Sequence, residues 1–317
     1  CARRRLYDMK VLLAGGAGYL GSMLVLKLLS KGHDVTVYDS MLFGDSHLPH
    51  GEYKLNVIKG DILGDEMKSA CHGKDVVVCL ASISAEEMCQ RGPLVAHVVN
   101  VGGTANAAND ALSAKVKRFI YASSVAAYAD EFADETSEMQ PTTIYGEHKK
   151  GAEALVRLIL PEAVIVRCAS ICGYSPRQRF DLTVNRMVHD AMTKGVVTVN
   201  GGSQIRSHIH IQDVCDFYAL LLDLPHERSA GQVFNVVAEN QSVLDTAKLV
   251  AFETGAELEI KPRSDTRSYG VNGAKAEALG FKPKRSVRHA ILALRSKFEK
   301  GTWPDIEDKK YMNLVDA

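Results

Sequence analysis

Tyr145 and Lys149 lie four residues apart in IYGEHKKGAE, about twenty residues after the pair Ser123-Ser124. On a helix that spacing puts both side chains on one face, so the ammonium can sit beside the phenol. A neighbouring cation favours phenolate and draws the tyrosine pKa toward working pH, where the phenol can act as general acid or base. Ser124 would then hydrogen-bond the reacting carbonyl or hydroxyl. Y-x-x-x-K alone arises easily by chance, so its meaning depends on what surrounds it.

A second chemical signal stands near the start of the chain. The run KVLLA (10–14) leads into Gly15-Gly16-Ala17-Gly18-Tyr19-Leu20-Gly21 and then a helical pattern, which meets G-x-G-x-x-G in its strand–turn–helix context. Gly15 or Gly16 would permit the tight turn, Gly18 would let the backbone approach a pyrophosphate, and Gly21 would let helix and strand pack closely. The helix N-terminus, at Tyr19 and Leu20, offers unpaired amides and a positive dipole end to the phosphates. Asp39, closing VTVYDS, can accept bonds from a ribose hydroxyl and would repel a 2′-phosphate, favouring NAD over NADP. Asp61, with Ile62 after it, is placed either to meet the adenine edge or to cap a helix over 62–72. Leu80, Ala81 and Asn100 complete the expected cofactor set, together with Tyr145 and Lys149.

These residues need a scaffold that brings strand ends together. Short β-branched or apolar runs at 10–14, 34–38, 55–59, 75–80, 117–122 and 163–168 alternate with helix-period stretches at 19–31, 62–72, 93–114 and 144–159. That rhythm predicts a Rossmann-like, doubly wound parallel sheet in an α/β fold. After residue 170 the rhythm loosens through RQRF and GGSQIRSH. A helix at 213–223, a strand at 233–237 and helices at 242–255 and 286–299 follow. We therefore expect an NAD-binding domain over 9–170, including the catalytic helix. A smaller α/β substrate lobe is expected over 171–317, with room for one of its strands to rejoin the main sheet. The final residues, DIEDKKYMNLVDA, read as a charged, solvated tail.

Bulk properties narrow the function. Lys plus Arg (38) balances Asp plus Glu (38), which leaves no net field to draw the chain onto nucleic acid or an anionic membrane. No apolar run reaches the length of about 18 residues that a spanning helix needs. The seven cysteines are odd in number and mostly sit in apolar runs, as buried reduced thiols do. Cys168 and Cys172 lack a partner pair for zinc, so no metal is expected. The basic CARRR start precedes an apolar run that belongs to the glycine motif, so it is not read as a signal peptide. Met9 reads as a natural start after an eight-residue extension, and the chain as cytoplasmic.

Taken in order, these motifs resemble the extended short-chain dehydrogenase/reductase group, specifically its NAD-dependent sugar-nucleotide epimerase/dehydratase branch. The resemblance runs from about Met9 to the C-terminal helix. It is carried by the glycine motif, Asn100 in VVNVGGT, ASSVAAY, PTTIYGEHKKGAE and VRCASICGYSPRQRFD. RSHIHIQDV, GQVFNV, DTRSYGVNGAK and LGFKPKRSV extend it. His148 departs from the usual Ser of YxxSK, and Ala129 from the glycine after Tyr128. The resemblance implies hydride abstraction from a sugar carbinol with Tyr145 as base, and a nucleotide sugar held by the second lobe. Arg206 and Arg267 would grip its diphosphate, with Arg177, Arg179 and Asn185 further substrate residues beside Ser124. It also implies a homodimer through the helices at 93–114 and 144–159.

Among the branch's reactions, 4,6-dehydration typically uses an Asp-Glu pair after the catalytic hydroxyl residue, and here Val125 and Ala126 stand there. Apolar groups cannot shuttle protons. Epimerisation leads, with 4-ketoreduction as the alternative. A non-catalytic dinucleotide sensor is a third, remote reading, since such proteins commonly lose the Tyr or Lys that this chain keeps.

Overall fold

A computed structural model describes residues 8–49, 51, 54–129, 132–262 and 268–313. Six of its strands follow the sequence rhythm closely: β1 (Lys10–Ala14), β2 (Asp34–Asp39), β3 (Leu55–Lys59), β4 (Val76–Cys79), β5 (Arg118–Ser124) and β6 (Val164–Cys168). Between them run α1 (Tyr19–Ser30), α2 (Glu66–Cys71), α3 (Glu86–Arg91), α4 (Pro93–His97), α5 (Thr104–Ser113) and α6 (Ile144–Ile159). The expected helix at 93–114 is a chain of pieces, because a π-helical turn at Val98–Gly103 joins α4 to α5. At Gly103 an added Cβ would lie 2.5 Å from Ile62 Cγ2, so only glycine lets this turn close on the loop after β3.

The main sheet has seven strands in the order β10-β6-β5-β4-β1-β2-β3, and every pairing is parallel. Its seventh strand, β10 (Val233–Val236), returns from the second half of the chain to pair with β6. Val11–Ala14 of β1, all of β4 and Val164–Val166 of β6 are continuous apolar runs because helices cover both faces. Leu24 and Leu28 of α1 pack one face with Phe217 and Leu221 of a later helix, and Ala107, Ala111, Ala152 and Val156 of α5 and α6 pack the other. The order reverses between β1 and β4, where a doubly wound sheet opens its ligand crevice.

The second lobe has more regular structure than its sequence announced. It holds β7 (Ser170–Cys172), α7 (Thr183–Lys194), β8 (Val196–Asn200), β9 (Ile205–His210), β11 (Glu239–Ser242), α9 (Val243–Thr254), β12 (Glu257–Lys261) and α11 (Val287–Glu299), whereas α8 (Ile211–Asp223) and α10 (Ala274–Ala278) pack on the main sheet. Its core gathers Phe180, Val188, Val250, Ile291 and Trp303. The tail corrects the expectation of a solvated end: Lys309–Met312 forms a 3-10 turn whose Tyr311 carbonyl accepts a bond from Phe180 N (2.6 Å), and the two rings pack 5.8 Å apart. Apolar Tyr311 and Met312, hidden in a charged stretch, dock it. All six described cysteines are buried free thiols, and no metal-binding cluster occurs among the described residues. No described helix is long and apolar enough to cross a membrane.

Candidate active site

A cleft of about 670 Å³ runs across the carboxyl ends of β1, β2, β4 and β5 and is walled on its far side by the second lobe. Gly15 takes φ +84°, which settles that it, and not Gly16, makes the tight turn. A Cβ on Gly15 would lie 2.5 Å from Ala81 N, and one on Gly21 would lie 2.4 Å from Gly15 O, so both positions admit only glycine. Leu80 and Ala81 stand behind the turn, their amides bonded to Ala14 O, and both line the cleft. In front of Gly18 the space is open: a Cβ there would meet only Gly15 O, at 3.3 Å. No side chain caps α1, so its first amides point into that space as an anion site. These residues fit a dinucleotide pyrophosphate.

Asp39 sits on the cleft wall with Oδ2 accepting from Ala17 N (3.0 Å) and Oδ1 from Met41 N (2.9 Å). Burial raises its pKa, and the two amides oppose that. Asp61 and Ile62 also line the cleft. Asp61 Oδ1 accepts from Leu63 N (2.9 Å) in a turn, while the helix begins only at Glu66, so the capping reading of Asp61 is replaced by a turn that presents it to the cleft.

At the other end of the cleft stand Ser124, Tyr145 and Lys149. Alternation along β5 splits the serine pair: Ser123 turns inward to donate to Glu153, whereas Ser124 faces the cleft, its Oγ accepting from Ala126 N (3.1 Å). Thr143 caps α6, accepting from Gly146 N (3.0 Å). Glu86 reinforces the cap, taking bonds from Ile144 N (3.2 Å) and Tyr145 N (3.0 Å). Sequence reading missed Glu86, because nothing in ASISAEE signals a contact with residues nearly sixty positions away. Lys149 Nζ donates to Ala122 O (2.7 Å) and lies 5.4 Å from the Tyr145 ring centroid.

The electrostatics differ from the sequence expectation. Tyr145 is held above the usual tyrosine range because burial dominates, and the main opposing charge is Arg179, helped by a bond with Ser82. Lys149 itself is pulled down to about 8 by burial.

Of the other expected ligands, Tyr19, Arg177 and Arg179 line the cleft, whereas Asn100, Asn185 and Arg206 lie behind its surface. Asn100 is buried; it accepts from Ser82 Oγ (3.0 Å) and Ile83 N (2.7 Å) and donates to Ile83 O (3.0 Å), so it shapes the loop that carries Ser82 and Ser84. His148, in place of the family's serine, reaches the same amide (3.3 Å). Tyr19 Oη donates to Gly173 O (2.7 Å), and Asn185 ties Tyr19 Oη and Arg179 O together (3.1 and 2.9 Å), so this pair joins the lobes. Arg206 is buried and stacks 4.9 Å from the ring centroid of Tyr269, which lines the cleft. Arg267 lies outside the described residues. Arg179 lines the cleft near Tyr145 but is held by Asp181 (2.9 and 2.5 Å) and Ser84 (2.7 Å). Arg177 stacks 3.9 Å over Phe43 and lies near Asp39.

Residues 11–237 match the NAD-dependent epimerase/dehydratase family. Over 308 residues the chain is 27% identical to the low-salt glycan biosynthesis protein Agl12 of Haloferax volcanii, covering 90% of this chain and 97% of that one. It is 27% identical over 335 residues to a UDP-glucose 4-epimerase of Lactobacillus helveticus, covering 95% and 100%. The fold matches that of the Bacillus cereus UDP-glucuronic acid 4-epimerase, solved with UDP-glucuronic acid and NAD, at a TM-score of 0.83 and 22% identity over 92% and 99% of the chains. A dinucleotide turn, a facing carboxylate and a Ser-Tyr-Lys set share one cleft, and the family's pattern spans most of the sequence: the chain belongs to the NAD-dependent epimerase/dehydratase family.

Proposed function

We propose that this protein is a nucleotide-sugar epimerase that oxidises one sugar carbinol and reduces the resulting ketone on its other face. The observation that carries this reading is the single cleft with the dinucleotide turn at one end and Ser124, Tyr145 and Lys149 at the other. Bound NAD supplies a hydride acceptor that returns the same hydride. Tyr145 takes the hydroxyl proton as the carbon–hydrogen bond breaks and gives it back after the ketone turns over, so protons and electrons balance within one cycle. Ser124 holds the reacting oxygen, and Lys149 orients the nicotinamide ribose.

The wall beside Ser124 is Val125 and Ala126, which offer no proton shuttle for dehydration. Glu86 brings a carboxylate to the same wall, but both its oxygens accept bonds from the α6 amides, and that engagement suits a cap better than an acid–base group. For the diphosphate, the supporting feature is Tyr269 on the cleft wall with Arg206 behind it. A homodimer and a reducing, cytoplasmic setting belong to the same proposal; the latter is supported by the free buried thiols.

The test is isomer formation from UDP-, GDP-, CDP- and dTDP-sugars without added reductant, read by chromatography, with Tyr145→Phe as control. Epimer formation that falls about 10²–10⁴-fold in the control is expected. Turnover that needs added NADH would replace epimerase with ketoreductase, and water loss would replace it with dehydratase.

A further inference from the structure

Arg177 was expected on the substrate, yet the fold carries it to the adenosine end of the cleft. It is only 5% exposed, and its guanidinium lies 3.9 Å from the Phe43 ring centroid, in the loop just after Asp39. Nη1 donates to Gln178 O (2.7 Å) and Nη2 to Asn313 Oδ1 (3.0 Å), but the buried Nε has no partner. Nε is sealed from the cleft, so the stack on Phe43 and the two Nη bonds are what fix this side chain in the wall.

Three separate parts of the chain meet at this point. The loop carrying Arg177 is fastened to the first turn of α1, where Ser175 Oγ donates to Tyr19 O (2.7 Å) and pairs with Ser22 Oγ (2.9 Å). Phe43 comes from the segment after β2. Asn313 comes from the docked tail, and with Met312 it forms cleft wall. The loop, Phe43 and the tail together span the end of the cleft that holds Asp39.

We propose that Arg177, Phe43 and Asn313 form a clasp that closes the adenosine half of the cofactor into the cleft, the stack on Phe43 and the bond to Asn313 tying three separate segments together over it. Asp39 accepts from the ribose hydroxyls at the same end of the cleft, and the clasp holds that end shut. An enzyme that returns the same hydride gains from never releasing its dinucleotide, and this clasp would supply the slow release. The inference concerns cofactor retention alone and holds whichever sugar reacts.

The test compares the protein with Arg177→Met, which keeps apolar bulk on Phe43 but removes the cation and its bond to Asn313. Release of bound NAD is followed by dilution into excess NADH with fluorescence detection, and ADP-ribose affinity by calorimetry on the NAD-free protein. Release about tenfold or more faster and a matching loss of ADP-ribose affinity are expected, as for one lost charge-assisted bond. Asn313→Ala, which removes one surface hydrogen bond and leaves the core intact, should speed release by several-fold and serves if Arg177→Met does not fold. Unchanged release in the variants overturns the clasp. So does an Arg177→Met protein that holds NAD and ADP-ribose normally but binds UDP-glucose more weakly, since that would return Arg177 to the substrate.

Discussion

Lys149 is almost fully enclosed, with one carbonyl partner, two aromatic rings within 5.4 Å of its ammonium and buried thiols nearby. Folding therefore works against its charge, and its pKa falls from 10.5 to about 8. Below pH 8 the folded and unfolded chains are both protonated there, and the folded state bears the full penalty of roughly 3 kcal/mol, an order-of-magnitude figure for that shift. Between 8 and 10.5 the unfolded state binds more protons, so this group's contribution to stability rises with pH. Urea unfolding of Lys149→Met and wild type should show a difference in the variant's favour that shrinks by up to this amount from pH 7.5 to 10.5. A pH-independent difference would mean that the lysine is solvated in solution. Subtracting the variant also removes the opposite trend from buried Tyr121 and Tyr218, whose raised pKa values cost stability at high pH.

At the scale of elements, α6 is held against β5 and β6 by a buried polar knot. Arg167 Nε and Nη2 donate to Glu153 (2.9 and 2.7 Å), Ser123 donates to the same carboxylate, and Arg167 reaches Tyr128, whose hydroxyl donates to Asn235 (3.0 Å). The ion pair is 3% and 1% exposed, so breaking it leaves a bare charge in the core. Arg167→Met should cost about 3–5 kcal/mol in unfolding free energy, and the double variant with Glu153→Leu should regain much of it. A loss under about 1 kcal/mol in the single variant would show that water reaches Glu153. Glu153 follows Lys149 by four residues on α6, and its partner arrives from another strand, which no local pattern encodes. The same holds for α7, whose buried face includes Asn185 and His189 and so lacked a clean apolar stripe.

For the whole molecule, the surface of the helical layer supports association. Leu94, Val95 and Val98 around α4 are exposed with Leu112 on α5 and Leu158 on α6, at 75% for Leu94 and 77% for Leu158. Gly103, Ala107, Ala108 and Ala152 of the same helices are buried and pack them inward. Large apolar side chains left exposed along this layer are costly in a monomer. Light scattering at micromolar concentration should report a dimer, and Leu94→Glu with Leu158→Glu should convert it to a monomer of unchanged helicity. A wild-type monomer would remove the homodimer from the proposal.

Sequence alone determined the strands of the main sheet, the strand–turn–helix glycine motif, Asp39 and the Tyr145–Lys149 helix, because each rests on spacing along one chain segment and on steric rules that act locally. Backbone torsions, alternation and helical periodicity need no partner to be read. Which glycine made the turn, that Ser124 and not Ser123 faces the cleft, that burial and Arg179 govern Tyr145, and where each arginine ends up were decided only by the tertiary structure. Arg177 and Arg179 are two residues apart in sequence, yet one acts on Asp39 and the other on Tyr145. A charge takes its role from the groups that desolvate and pair it, and those come from strands, loops and a tail far away in the chain.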